Sequence, residues 1–413
     1  MFAEERKMKK PRILILMHYM ELGGAESALL GLLQSVDPNR VDVDVFLYDH
    51  RGELLKYIPT DKVRLLPEKR AYKMIERPIA ECVRNGQIGV AFGRLLARQT
   101  VDKSPVPTGK DDIRVFSRIA DCVEPFLPKI QPTLEYDLAI SFLMPHNYVL
   151  SKVKAKKKVG WIHTDYSTVY VDVKRELPVW ERLDHIATIS DEVGKKFVET
   201  FPTLKGKIIP IENILCSSFI RRRAIEFVPT DMPQKEDCVN LLSIGRFSYP
   251  KRFDQVGTIC RRIQAILSVS EQPSRVHWYI IGFGDERKIV ENIEEEGMQE
   301  YVTILGKRAN PYPYIKACDV YVQPSRYEGK SITVREAQIL CKPVVVSNYP
   351  TAASQIHSGV DGVIVPMEID DCAKGIATFI GDNGLQDRIV GYLWSHDYGN
   401  EAEIEKIYQL AGA

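Results

Sequence analysis

The chain runs to 413 residues, with 45% apolar and 27% charged side chains and a formal net charge of +1. That length exceeds what one compact core holds and predicts two domains, at about 100–200 residues each. The near-zero charge gives no global reason to expect nucleic acid, and eight cysteines with no CxxC and no close pair argue against structural zinc and a disulfide framework.

Such scattered thiols predict a reduced, cytosolic protein. The apolar run Ile13–Met17 is too short for a signal or a span, and no other stretch approaches the roughly 20 apolar residues a span needs. Any membrane would be met from the side.

Arg12–Met17 (RILILM) reads as a buried parallel strand. Leu22-Gly23-Gly24-Ala25-Glu26-Ser27 and the helical pattern ALLGLLQSV follow it, which opens a βαβ unit. Val41–Leu47 alternates and predicts a second strand, with further strands at 137–142, 158–163 and 185–189. Together they predict one doubly wound α/β domain. The polar, proline-bearing stretch 228–237 reads as a linker. After it, strands are expected at 240–245, 277–281, 302–305, 319–323, 343–347 and 362–365, with helices between them, for example 287–296. The tail 400–410 is helical, with Ile404, Ile407 and Tyr408 on one face.

The stretch 67–103 departs from this rhythm. Ile88, Ala91, Phe92, Leu95 and Leu96 share a helical face, which predicts an amphipathic helix packed on its own domain through that face. Eight Lys/Arg stand against four Asp/Glu here. The alternative is a basic patch meeting an anionic membrane or a lipid-linked substrate.

Two glutamates, Glu328 and Glu336, frame the segment YEGKSITVRE. Pro324 and Gly329 place Glu328 on a loop leaving a strand. Ser331 or Thr333 can cap a helix that carries Glu336 in its first turns. Backbone N–H groups of Gly329, Lys330, Ser331 and Ile332 then lie at a helix N-terminus, where phosphate is attracted. A carboxylate on each side of an anion cradle suits a nucleotide sugar. In Ser243–Asp254 a strand ends in Gly245, and Arg246 and Lys251 flank a turn from which both reach one anion. Asp42-Val43-Asp44 is formally a DxD metal motif. Alternation along a strand puts both carboxylates on one solvated face, so no metal site is read there.

The stretches ELGGAES, GRFSYPKRFD, IIGFGDE and YEGKSITVREAQILCKPVVVS, in that order, resemble a family 4 retaining glycosyltransferase of the GT-B architecture. The resemblance implies two tandem Rossmann-like doubly wound α/β domains facing a central cleft. They would be an acceptor-side domain, 1–217, completed by a helix in 396–413, and a nucleotide-sugar domain, 218–395. Arg246 and Lys251 would bind and stabilise the leaving diphosphate. Glu328 would hold the donor sugar, Glu336 the ribose, and 329–332 the distal phosphate. Gly282 and Arg308 would line the base pocket, and Gly23 and Gly24 would let backbone approach the donor. His163 matches a histidine near the reacting carbon. No cofactor and no metal are implied, since Arg246 and Lys251 can do a cation's work. The donor is expected to be a UDP-sugar. The acceptor is expected to be a saccharide or lipid-linked oligosaccharide in cell-surface polysaccharide synthesis, with peripheral membrane contact through 67–103 and through the basic runs 154–158 and 221–223. A sugar-nucleotide epimerase and a catalytically silent partner subunit share the architecture. The chain departs from the family at two positions, carrying Cys341 and Arg252 where glycine is usual.

Overall fold

The computed structural model describes residues 10–107, 110–269 and 275–413. The chain divides into two compact units. One reaches to Ile214 and takes in Glu401–Ala413; the other is Leu215–Asn400.

In the first unit the strands are β1 (Arg12–Met17), β2 (Asp42–Leu47), β3 (Arg64–Leu65), β4 (Asp111–Asp112), β5 (Tyr136–Ser141), β6 (Ala155–Ile162), β7 (Val169–Tyr170), β8 (His185–Thr188) and β9 (Ile208–Pro210). Seven of them form a parallel sheet in the order β3-β2-β1-β5-β6-β8-β9, and β4 pairs with β7. From Ile13 onward every residue of β1 is buried, which is why its sequence is an unbroken apolar run.

The second unit contains β10 (Cys238–Phe247), β11 (Arg275–Gly284), β12 (Val302–Gly306), β13 (Val320–Gln323), β14 (Val344–Ser347) and β15 (Val363–Val365). They form one parallel sheet in the order β12-β11-β10-β13-β14-β15. The chain runs outward from β10 to β12, then returns to lay β13 on the other side of β10. The order of strands therefore reverses between β10 and β13. Such a reversal leaves a crevice beyond the carboxyl ends of the two strands, where open α/β sheets bind their ligands.

Three expectations need correction. β10 runs to Phe247, so Arg246 lies within the strand rather than beyond it. Asp44 is not on a solvated face: Arg64 of β3 donates to both its oxygens, at 2.7 and 2.6 Å, and the buried Tyr136 hydroxyl donates at 2.7 Å. A neighbouring strand and a tyrosine cover it, while Asp42 stays exposed.

The third concerns the helix Ile88–Thr100, which turns Ile88, Phe92, Leu95 and Leu96 of the expected face outward and buries only Ala91 of it. Its buried residues are Val90, Ala91, Gly93 and Ala97. A Cβ on Gly93 would lie 2.5 Å from the Cys122 carbonyl oxygen, and one on Gly89 would lie 2.5 Å from the Phe126 ring. Gly93 therefore lets this helix press against the helix Arg114–Val123 and Gly89 lets it meet Phe126 just beyond, while Ile88, Phe92, Leu95 and Leu96 project away. The basic runs are also spoken for in part. Lys156 pairs with Asp137 at 2.8 Å, Lys158 donates to the Leu150 carbonyl, and Arg223 is buried.

Candidate functional site

The carboxyl ends of β10 and β13 are tied together by side chains. After β10 a short turn, Tyr249–Lys251, ends on Arg252 in the left-handed region at φ 60°. After β13 comes the loop 324–331. Arg326 of that loop pairs with both oxygens of Asp254 at 2.7 and 2.8 Å, lies 4.3 Å from the Tyr249 ring, and its N–H donates to the Pro250 carbonyl at 2.7 Å. The two loops thus hold a fixed relation at the strand reversal.

That clamp brings Lys251 to Glu328. The Lys251 ammonium lies 2.6 Å from Glu328 Oε1, and the lysine stem packs 3.2 Å from where a Cβ on Gly245 would stand. Any side chain at 245 would displace the stem. The same Oε1 accepts from Gln323 Nε2 at 3.0 Å and from Ser325 Oγ at 2.6 Å, both fully buried residues. Gln323 is itself oriented by the Tyr321 hydroxyl, which donates to its Oε1 at 2.7 Å. Three donors converge on one oxygen of Glu328, and Oε2 makes no hydrogen bond among the described residues. The result is a fixed, buried carboxylate with one oxygen left to accept from a ligand.

Arg246, near the end of β10, is exposed and makes no ion pair among the described residues. Gly282 on β11 stands opposite Gly245 in register. A Cβ there would fall 2.0 Å from the Gly245 carbonyl oxygen, so glycine is needed for the two strands to lie this close.

Glu336 is buried within the helix Ile332–Ile339 and accepts from the Tyr312 hydroxyl at 3.0 Å. Burial pushes its carboxyl up to about 7, against the pull of that hydroxyl and of the Arg223 charge. The anion cradle before this helix is partly occupied. The Ser331 N–H donates to Gln355 Oε1 at 3.0 Å, and Gln355 Nε2 returns a bond to the Ser331 carbonyl. Ser331 stands at the N-cap without a side-chain cap bond. Gly329 and Lys330 are exposed just before it, and Ile332 is the first helical residue. Arg308 is paired with Asp231 at 2.6 Å through Nη2 and its Nε donates to the Tyr314 hydroxyl at 3.0 Å, which fixes the guanidinium in place.

In the first unit, Gly23 is the N-cap of the helix Gly24–Gln34. The Glu26 carboxylate lies over it, 2.2 Å from where a Cβ would stand, while Gly24 is open. His163 follows β6 and packs against the rings of Phe142 and Trp161. Burial pulls its imidazole down to about 3, so it is neutral at physiological pH. Both ring nitrogens are buried and complete no hydrogen bond, although the Phe142 main chain and the Asn213 side chain approach them.

Gln323, Ser325, Arg326 and Asp254 were not singled out from the sequence. Their signal was a polar residue, Gln323, ending an otherwise apolar strand, with Ser325 two residues on.

The two Rossmann-like units, each with a strand reversal in its parallel sheet, make the architecture GT-B. Residues 228–392, almost all of the second unit, match the family model for glycosyl transferases group 1. Among solved structures, the Anabaena protein HepE in complex with UDP and glucose superposes with a TM-score of 0.62 at 16% identity, covering 97% of this chain and 99% of that one. A TarM variant from S. aureus, in a complex that includes UDP, gives 0.64 at 13% identity, covering 98% and 100%. By sequence, a poly(ribitol-phosphate) α-N-acetylglucosaminyltransferase of Staphylococcus aureus (strain COL) is 26% identical over 174 residues, 38% of this chain and 35% of that protein. The chain spans less than half the length of the curated relatives it matches.

Proposed function

We propose that this chain is a retaining, metal-independent glycosyltransferase of the family 4 kind, acting in the cytoplasm. It moves a hexose-type sugar from a nucleotide diphosphate, UDP foremost, to a hydroxyl of a saccharide or lipid-linked acceptor in cell-surface polysaccharide synthesis. The observation that carries this is the 2.6 Å pairing of Lys251 with Glu328 at the strand reversal, with Oε2 of the carboxylate left open. A cation and an acceptor oxygen side by side match a sugar joined to a phosphate. UDP in the HepE and TarM structures supports the choice of nucleotide.

In this reading Lys251 and Arg246 hold the diphosphate oxygens and stabilise the charge that grows as the bond to the sugar C1 breaks. Glu328 Oε2 accepts from a donor-sugar hydroxyl. Glu336, once ionised, accepts from the ribose. The acceptor oxygen bonds to C1 on the face the phosphate leaves, and its proton passes to the departing phosphate oxygen. Configuration is thereby retained without a protein nucleophile.

The test is release of nucleotide diphosphate from a panel of UDP-, GDP- and ADP-sugars. One donor should turn over, with Glu328→Ala and Lys251→Ala each about 100-fold slower or worse. A free, epimerised sugar nucleotide as product would make the protein an epimerase instead. No donor binding at all would leave only a silent partner subunit.

A further inference from the structure

In the first sheet the chain runs outward from β1 to β3, then returns to lay β5 on the other side of β1. Residues just past β5 therefore stand where an open parallel sheet takes its ligands. There Met144–Asn147 form one wall of a small cavity, and the helices Arg114–Val123 and Val173–Glu181 form the others. The cavity holds about 30 Å³, enough for a hydroxyl group or a water, and it opens to solvent.

His146 lines this cavity and is only 6% exposed. The Ser141 hydroxyl donates to the Leu143 carbonyl at 3.1 Å, so it accepts from His146 Nδ1–H at 2.9 Å. That fixes the tautomer and leaves a lone pair on Nε2. Nε2 makes no hydrogen bond among the described residues. The Trp180 ring packs 4.5 Å from the imidazole and is held in turn by its Nε1–H, which donates to the buried Glu176. Burial pulls the imidazole down to about 3, with His163 and His18 adding to the effect, so it stays neutral. The other groups of the cavity are spoken for. Ser117, Tyr166 and Trp180 donate to the two oxygens of Glu176, and Asp121 pairs with Arg175 at 3.3 Å.

A buried acceptor left without a donor is costly, so this nitrogen calls for one. A neutral acceptor with Arg175 on the same cavity suits an uncharged O–H better than a cation. We propose that His146 Nε2 accepts from one hydroxyl of the acceptor saccharide, and that the cavity selects the acceptor by that hydroxyl. The identity of the ligand rests on the glycosyltransferase reading; the chemistry of the cavity does not. Such a site discriminates strongly, because an analogue lacking the hydroxyl leaves the nitrogen unpaired again.

The experiment is saturation-transfer NMR of the full chain with the methyl glycosides of glucose, galactose, mannose, rhamnose and N-acetylglucosamine. One of them should bind. Replacing one of its hydroxyls by hydrogen should weaken binding to wild type about tenfold or more. His146→Phe should weaken the parent glycoside to a similar degree and no longer tell it from the deoxy analogue. His146→Gln, which offers an amide oxygen near the place of Nε2, should keep most of the binding. Circular dichroism checks that the variants fold, and the deoxy comparison on wild type needs no variant. No glycoside bound, or a glycoside bound equally well without each hydroxyl in turn, would overturn the proposal and leave the cavity to a water. Nucleotide release from the donor panel is read separately on wild type. Glycoside binding without any release would sink the transferase reading and spare the cavity, and release without glycoside binding would do the reverse.

Discussion

Glu336 is a carboxyl whose proton matters to the fold. Its value in the folded chain, about 7, stands above an ordinary 4.5 because the group is buried. A raised carboxyl contributes stability that is full below 4.5 and lost as pH rises through 7. The loss approaches about 3 kcal/mol for a shift of this size, at about 1.4 kcal/mol per unit. Glu336→Gln removes the titration. Urea unfolding of the second unit should weaken between pH 5 and pH 8 in the wild type, and that weakening should shrink in the variant. Equal slopes would mean that the carboxyl is not held protonated. In the proposed reading ligand binding runs the other way, since an ionised Glu336 would accept from the ribose hydroxyls, so donor affinity should rise over the same interval. At this scale the closeness of Lys251 and Glu328 was foreshadowed by their places just after two strands, β10 and β13, that pair with one another. Gln323 and Ser325 were not, because their role is to fill one oxygen of Glu328, a matter of geometry rather than composition. The two positions at which the chain departs from the pattern it resembles, Cys341 and Arg252, sit at φ 55° and 60°, the left-handed region that glycine enters freely.

Elements were legible where periodicity and burial coincide. The central strands of both sheets are apolar runs because they are buried, and their places in the sequence were readable within a few residues, whereas the edge strands β3 and β9 of the first sheet are too short for such a run and were not expected. β10 and β11 ran further than expected because Gly245 and Gly282 oppose one another and let the pair stay close past the apolar run. The helix Ile88–Thr100 was misread for a different reason. Periodicity shows that bulky apolar residues share a face, but not that this face is buried. Here a stripe of small residues allows a closer approach and wins the packing contest. Gly93→Ala would drive a methyl to 2.5 Å from the Cys122 carbonyl oxygen and should destabilise the first unit by about 1–3 kcal/mol. Leu95→Ser, on the outward face, should change stability by no more than about 0.5 kcal/mol. Chemical denaturation of the two variants separates these cases. The reverse ranking would return the bulky face to the core.

At the scale of the whole molecule, the chain builds its first unit, leaves at Ile214 for the second, and returns at Glu401 to finish the first. The return is not ornamental. Ile404, Ile407 and Tyr408 of the helix Ile404–Ala411 are buried, and the Tyr408 hydroxyl accepts from the Asp37 N–H at 2.7 Å. Arg40 meets both oxygens of Glu405, an exposed pair that fixes orientation more than stability. The apolar face of this tail was readable from spacing alone, whereas the element it would cover was not, since that depends on where the chain comes to lie. Two separate cores make a specific outcome testable. Ending the chain at Asn400 removes three large buried apolar side chains, Ile404, Ile407 and Tyr408, whose burial is worth about 1.5–3 kcal/mol each, and uncovers the surface beneath them, so the first unit should lose roughly 5 kcal/mol or more. The second unit keeps its own sheet and core and should lose little. Amide hydrogen exchange reads the two at once. Protection should fall in β1 and β5 and persist in β10 and β13, and the second unit should still bind a nucleotide diphosphate. Equal loss of protection in both sheets would mean that the units unfold as one and that the tail stabilises the whole chain rather than the unit it completes.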